Sequence, residues 1–259
     1  MSPALAAVSG LAIVALVLTL VWAIQLKTRN AGMVDPVWSW SLGFLAVWYA
    51  IFGSAPVETR IALGVLGGLW GFRLGTHLYI RNAGKPEDAR YAKFRAEWGA
   101  KADFNMFWFF QFQAVIAWLL SVGFLTVAYR PGNAGVPAVV LAVAIWLVAV
   151  IGEGIADAQM ERFRGNPAMK GKVCNTGLWR YSRHPNYFFE SLHWIAYVPL
   201  AIGSVWWPVT VLPAAIMAWL LLKMSGVPIL EAHLVKSRPG YAEYMRTTSV
   251  FIPWWPKQS

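Results

Sequence analysis

Apolar runs long enough to cross a lipid bilayer recur along this 259-residue chain. A membrane-spanning helix needs about 20 mostly apolar residues. Runs that approach or exceed this length lie at residues 3–26, 36–55, 59–80, 107–129, 134–157, 187–203 and 205–223. We therefore expect an all-α polytopic membrane protein with about seven transmembrane helices, in which residues 1–259 form a single integral membrane domain.

The composition agrees with this class. Hydrophobic residues make up 58% of the chain and charged residues only 13%, whereas a soluble domain carries roughly a quarter charged residues. The first apolar run has no basic segment before it and is longer than the apolar part of a signal peptide. We interpret it as a spanning helix.

The distribution of Lys and Arg predicts the topology. Segments 81–106 and 158–186 each carry several basic residues, and more follow in the tail from Lys223. The alternate loops hold only Arg60 and Arg130. The positive-inside rule then places the N-terminus outside and the C-terminus in the cytoplasm.

The net charge of +10 is therefore expected on one side of the membrane, where part of it faces anionic membrane lipids. No basic soluble domain is present to bind nucleic acid. Cys174 is the single cysteine, which excludes an internal disulfide, and the four histidines lack metal-ligand spacing. We expect no metal site.

The densest polar motif is Gly177–Glu190, GLWRYSRHPNYFFE, directly before an apolar run. Pro185 suits the first turn of a helix, because the N–H groups of that turn have no acceptor within the helix and the N–H that proline lacks is not needed there. Asn186, Glu190 and Trp194 then share one helix face. Polar groups at a membrane boundary are costly unless they are paired or bind something. The motif predicts a site for a charged, partly aromatic ligand.

Two other apolar runs carry polar stripes at helical spacing. One stripe could be an internal salt-bridge ladder or part of a ligand site; it consists of Glu153, Asp157, Glu161 and Arg164. The other runs into Asn82-Ala-Gly-Lys-Pro and consists of Arg73, His77 and Arg81. The chain has neither a Rossmann fingerprint nor a P-loop. A nucleotide bound here would be held by helices and side chains.

The Gly177–Glu190 motif, the Asp157–Arg164 stripe and the ending Gly240–Pro256 together resemble the bacterial DUF1295 branch of the steroid 5-alpha-reductase family. The resemblance extends from Asp35 onward. This family is similar in architecture to the sterol C14 reductases and, more distantly, to the isoprenylcysteine carboxyl methyltransferases.

The resemblance implies a seven-helix oxidoreductase of the bacterial inner membrane. It would use NADPH to reduce a carbon–carbon double bond in a lipid or steroid-like substrate that enters from the bilayer. The positions that match the family's cofactor-holding pattern are Asn82, Asp157, Arg164, Tyr181, Asn186, Glu190, Trp194 and His233. The candidate cofactor set is completed from the same motif by Arg183, His184 and Tyr187.

The chain departs from the steroid enzymes at the substrate end. It has no Gln-Glu pair in the second helix, the position that matches a tyrosine of the third helix falls near Gly71, and Ser237 replaces a tyrosine of the tail. These departures argue against steroid 3-ketones as substrates. The reaction needs a proton donor, for which Tyr79 and His77 are the first candidates, and Tyr49 and Asp35 are alternatives.

Two other functions stay open. An S-adenosylmethionine-dependent methyltransferase of the isoprenylcysteine type would share the Arg-His-Pro-x-Tyr segment and a tail with Glu231, Tyr241 and Tyr244. Seven spans and Glu231-Ala232 in place of a Glu-Glu pair favour the reductase. A non-enzymatic lipid-binding or scaffold protein is disfavoured, because Arg73 inside an apolar run and the dense polar motif would then have no purpose.

Overall fold

The computed structural model describes residues 1–224 and 226–257. This part of the chain is 79% helical and contains no strand. The α-helices are α1 (Pro3–Thr28), α2 (Val34–Phe52), α3 (Val57–Asn82), α4 (Ala89–Trp98), α5 (Ala102–Ala128), α6 (Val136–Gly165), α7 (Pro185–Ile195), α8 (Val198–Ala201), α9 (Leu212–Trp219), α10 (Val227–Ser237) and α11 (Tyr241–Thr247). The all-α class predicted from the sequence is confirmed.

Four helical stretches of the described residues are long and apolar enough to cross a membrane. They are Pro3–Thr28, Ala89–Ala128, Val136–Gly165 and Trp207–Ser237. Together they indicate a membrane-embedded protein that contacts lipids.

Seven spans and the orientation of the termini stay predictions. The second and third apolar runs do form helices, α2 and α3, of 19 and 26 residues. The sixth run, 187–203, is not one continuous helix. Its helix α7 has 11 residues, or about 16 Å at 1.5 Å per residue. Pro199 explains the break. It has no N–H to donate to the carbonyl of Ile195, four residues earlier, and its ring clashes with that carbonyl.

The described chain divides into two compact units. Unit 1 comprises Met1–Val139 and Leu200–Thr210, and unit 2 comprises Val140–Pro199 and Val211–Ser259. The predicted single membrane domain stays a prediction.

In unit 1, α2 and α3 form a hairpin whose contact depends on glycine. A Cβ atom added to Gly71 would lie 2.5 Å from the Cα of Gly43 and 2.8 Å from the carbonyl oxygen of Ser39. Both neighbours are backbone atoms, which cannot rotate away. The absence of a side chain at Gly71 is therefore what allows the two helices to approach this closely.

Arg60 and Arg130 belong to the predicted loops that carry few basic residues, and both cap backbone carbonyl groups in unit 1. Arg60 donates to the carbonyls of Ala55 and Ala50, each at 2.8 Å. Arg130 is buried and donates to the carbonyls of Gly132 at 3.0 Å and Ile202 at 2.6 Å. A guanidinium satisfies carbonyls that a helix end or turn leaves without an N–H partner.

In unit 2, α6 and α7 pack closely at Gly152. A Cβ atom at Gly152 would lie 2.4 Å from the ring of Phe189, whereas one at Gly154 would meet nothing within 4 Å. Phe189 directly precedes Glu190, so this contact sets the position of the polar face of α7.

We predict opposite effects of alanine at these two glycines. Gly152→Ala should destabilise the protein, because overpacking costs about 1–3 kcal/mol and outweighs the helix-propensity gain of about 0.5–1 kcal/mol. Gly154→Ala, the matched control on the same helix, should be neutral or slightly stabilising. Thermal unfolding in detergent measures both. Equal thermal midpoints for the two variants would show that the Phe189 ring can move aside without loss of stability.

Candidate functional site

Two polar residues predicted to hold a cofactor meet between α6 and α7. The side-chain amide of Asn186 donates to Asp157 Oδ1 at 3.2 Å. Because a carboxylate only accepts hydrogen bonds, this contact fixes which end of the amide is the NH2 group. The Asn186 Oδ1 atom is buried and accepts no hydrogen bond from any described residue. A buried carbonyl oxygen of this kind can accept a bond from a ligand.

The rest of the predicted α7 face is buried. Glu190 is 8% exposed and Trp194 is 1% exposed. They lie one and two turns after Asn186 on the same helix. The sequence prediction that these three residues share a helix, and that Pro185 begins it, is confirmed.

The two residues directly before α7, Arg183 and His184, belong to a buried ion cluster centred on Glu231 of α10. Arg183 Nε donates to Glu231 Oε1 at 2.7 Å, and the His184 ring nitrogen Nε2 lies 2.9 Å from the same oxygen. The hydroxyl of Tyr241 donates to it at 3.4 Å. Charges are buried at acceptable cost only when they are paired and hydrogen-bonded as these are.

The C-terminal segment completes the cluster. Arg183 Nη1 donates to the carbonyls of Met245 and Thr248, each at 2.7 Å, and the Arg183 backbone N–H donates to Ser249 O at 2.8 Å. The Tyr244 hydroxyl donates to Trp179 O. The tail therefore fixes the loop that leads into α7.

Burial raises the pKa of the Tyr241 and Tyr244 hydroxyls well above the ordinary tyrosine value. The neighbouring carboxylate of Glu231 raises the pKa of Tyr241 further. Both hydroxyls therefore stay protonated over the working pH range and act as hydrogen-bond donors.

Several predicted cofactor residues are engaged by the protein itself. Every side-chain nitrogen of Arg183 contacts a protein acceptor. His184 bonds Glu231 and stacks on Tyr187, with ring centroids 5.2 Å apart. Tyr181 packs edge-on against Trp255 at 5.3 Å. Side chains that are bonded or packed in this way can hold the walls of a ligand site in position.

Two predicted residues lie at the surface of unit 2. Arg164 is exposed in the last turn of α6, and His233 is exposed on α10. Both side chains are open to a ligand from solution.

The remaining predicted residues belong to unit 1. Asn82 ends α3, and its amide donates to Gly32 O at 3.2 Å. His77 and Tyr79 are exposed on α3, and the Tyr79 ring lies 6.0 Å from that of Trp40. A cavity of about 200 Å³ at the end of α3 is lined in part by Asn82, Arg81 and Lys85.

The alternative proton donors are already bonded within unit 1. Asp35 accepts from Arg90 at 2.8 Å and from the Tyr91 hydroxyl at 2.6 Å. The Tyr49 hydroxyl lies 3.1 Å from Ser121 Oγ and is buried. Tyr79 and His77 are more accessible than either of them.

The loop that follows Asn82 is held by a second ion cluster. Glu87 accepts from the Ala31 N–H and from Arg95, at 2.8 and 2.9 Å. Burial alone would raise the pKa of the Glu87 carboxyl, but the bonds from Arg95 and Ala31 outweigh it and lower that pKa. Glu87 is therefore ionised and ties this loop to the short turn that follows α1.

Sequence reasoning missed a buried pair and a groove in unit 2. His193 Nε2 lies 2.7 Å from the Tyr197 hydroxyl, and both residues are 1% exposed. Their i, i+4 spacing was the available signal.

The groove has a volume of about 990 Å³ and is lined by residues of segments 170–180 and 239–256. No sequence pattern marks it, because its walls come from distant parts of the chain.

A long apolar helical framework with a buried polar cluster defines this as a membrane protein with a candidate ligand site. The chain belongs to the DUF1295 family, described as a protein of unknown function, which matches residues 21–248. A relative in Schizosaccharomyces pombe (strain 972 / ATCC 24843), "Uncharacterized protein C594.04c", is 27% identical over 267 residues, which cover 90% of this chain and 75% of the relative. No solved structure matches the chain.

Proposed function

We propose that this protein is a membrane-embedded reductase of the steroid 5-alpha-reductase type, which uses NADPH to reduce a carbon–carbon double bond in a lipid. The observation that carries the proposal is the buried carbonyl oxygen of Asn186, held in place by Asp157 and left without a protein donor among the described residues. A carboxamide such as that of nicotinamide offers the N–H donor that this oxygen lacks.

The residues of unit 2 fit such a cofactor. Asp157 is half-buried, and a carboxylate accepts the kind of hydrogen bond that a ribose hydroxyl or an amide donates. Exposed Arg164 offers a guanidinium fork, which suits a phosphate. Arg183 and His184 would act indirectly, by holding the loop before Asn186 against Glu231.

NADPH supplies a hydride when bound, and the protein supplies orientation and a proton. Tyr79 and His77 are the proposed donors of that proton, since both are accessible on α3. The substrate is proposed to be a lipid alkene that enters from the bilayer, because a route through water would expose its apolar surface.

A second candidate is an S-adenosylmethionine-dependent methyltransferase. One contact favours it: Glu231, which the tail motif shares with that family, bonds the Arg183-His184 pair directly. The same contact is compatible with the reductase, so ligand binding has to separate the two.

We expect NADPH to raise the thermal stability of the purified protein. A ligand at 100 times its Kd stabilises a folded protein by about 2.7 kcal/mol. NADH should do so only at higher concentration, because it lacks the phosphate that Arg164 can bind. Titrations with NADPH, NADH and S-adenosylmethionine measure this. Tighter binding of S-adenosylmethionine would assign the protein to the second function, and no response to any of the three would contradict both.

A further inference from the structure

The groove of unit 2 combines positive charge with access from solution. Three of its lining residues are exposed cations, Lys170, Lys172 and Arg180. None of them forms an ion pair within residues 1–224 and 226–257. Glu243, which also lines the groove, is already paired with Arg246 at 2.7 Å. The groove therefore presents uncompensated positive charge to an anionic ligand.

The groove also offers neutral hydrogen-bonding groups. Thr176, Thr247 and Asn175 line it. The Thr247 hydroxyl already donates to the carbonyl oxygen of Glu243 at 3.0 Å, so the side-chain amide of Asn175 is the neutral donor for a ligand. Lysine and arginine together with an amide donor suit a bound phosphate.

A pair of tryptophans lies next to the groove. Trp254 and Trp255 are 70% and 72% exposed, and the following residue, Pro256, lines the groove. The segment is fixed in place, since the Trp254 N–H donates to Tyr181 O at 2.9 Å and the Lys257 N–H donates to Thr247 O at 2.8 Å. Exposed tryptophans on a membrane protein typically sit at the headgroup level of the bilayer.

From this juxtaposition we infer that the groove binds the headgroup of an anionic phospholipid. The cations contact the phosphate, and Trp254 and Trp255 rest in the interface beside it. Inorganic phosphate would use the same cations but would gain nothing from the tryptophans. This inference does not depend on the proposed reductase activity.

The test uses the full-length protein in detergent, titrated with phosphatidylglycerol in mixed micelles and followed by its thermal midpoint. The wild type should bind one phosphatidylglycerol per chain and respond little to phosphatidylcholine. Each lysine or arginine near a membrane surface contributes roughly fivefold to the binding of anionic lipid. The variant K170Q/K172Q/R180Q should therefore bind at least about tenfold more weakly, with its lipid-free midpoint unchanged.

The matched control is K93Q/K101Q/R162Q, which removes the same charge from exposed positions outside the groove. It should change phosphatidylglycerol binding by less than about twofold. Equal losses in both variants would mean diffuse charge attraction and overturn the site.

Two soluble probes and one further variant test the assignment to a lipid. Neither inorganic phosphate nor NADPH should displace phosphatidylglycerol. Displacement by either would reassign the groove to a soluble phosphate compound. W254A/W255A should weaken lipid binding about threefold or more, and unchanged binding would contradict the interfacial role of the tryptophans. NADPH binding is measured separately, so failure here leaves the reductase proposal standing.

Discussion

Replacing Glu231 with alanine is expected to destabilise the folded protein by about 3–5 kcal/mol, the usual cost of removing one partner of a buried ion pair. The loss leaves the buried guanidinium of Arg183 without its counter-charge and deprives His184 and Tyr241 of their acceptor. Two backbone carbonyls remain for Arg183, but they carry no net charge. Chemical denaturation in detergent measures the change.

Three further variants test whether the loss of stability is caused by the burial of the charge. Glu243→Ala breaks the exposed pair with Arg246 and should leave stability unchanged. Glu231→Gln keeps an acceptor and should cost less than Glu231→Ala. The double variant Arg183→Met with Glu231→Leu should recover part of the loss, because apolar residues can replace a buried pair. A wild-type midpoint for Glu231→Ala would contradict the proposed role of this cluster.

Replacing Glu190 with alanine is expected to weaken NADPH binding by about 1.5–3 kcal/mol, the size of a hydrogen bond that involves a charged group. Glu190 is 8% exposed and lies one turn after Asn186 on the face of α7 that carries the acceptor oxygen. We propose that its carboxylate bonds the nicotinamide amide or a ribose hydroxyl. A titration of NADPH affinity gives the change directly, as an increase in Kd of roughly 10- to 150-fold.

Glu58→Ala is the control, because Glu58 is an exposed carboxylate in the first turn of α3 and is not one of the candidate cofactor residues. It should leave the Kd within about twofold of the wild type. If Glu190→Ala binds NADPH normally but unfolds at a lower temperature, Glu190 stabilises the fold and the cofactor assignment is wrong.

Local sequence signals were sufficient for several of the long helices. The apolar runs at 3–26 and 134–157 correspond to α1 and α6, because an unbroken apolar stretch pairs its backbone groups within itself. Pro185 at the start of α7 was equally readable, since it suits only the first helical turn. These features depend on residues a few positions apart.

The sixth apolar run shows where counting apolar residues fails. Residues 187–203 have nearly the length of a span, yet the helix ends at Ile195. Proline is uncharged and is counted in a run like any other residue, but it removes the backbone hydrogen bond to the carbonyl four residues before it. The position of Pro199 carried this information, and hydropathy alone did not.

The candidate site was predicted only in part. The sequence placed Asn186, Glu190 and Trp194 on one face, because helical periodicity determines which residues share a side. It could not show that Arg183 and His184 are bound to Glu231, which lies 48 and 47 positions away in the chain. A charged motif before an apolar helix is compatible with a ligand site and with a structural ion cluster. Only the tertiary structure, by bringing α10 to this motif and burying both charges together, decided that Arg183 has a protein partner while the side-chain oxygen of Asn186 accepts no hydrogen bond from the described residues.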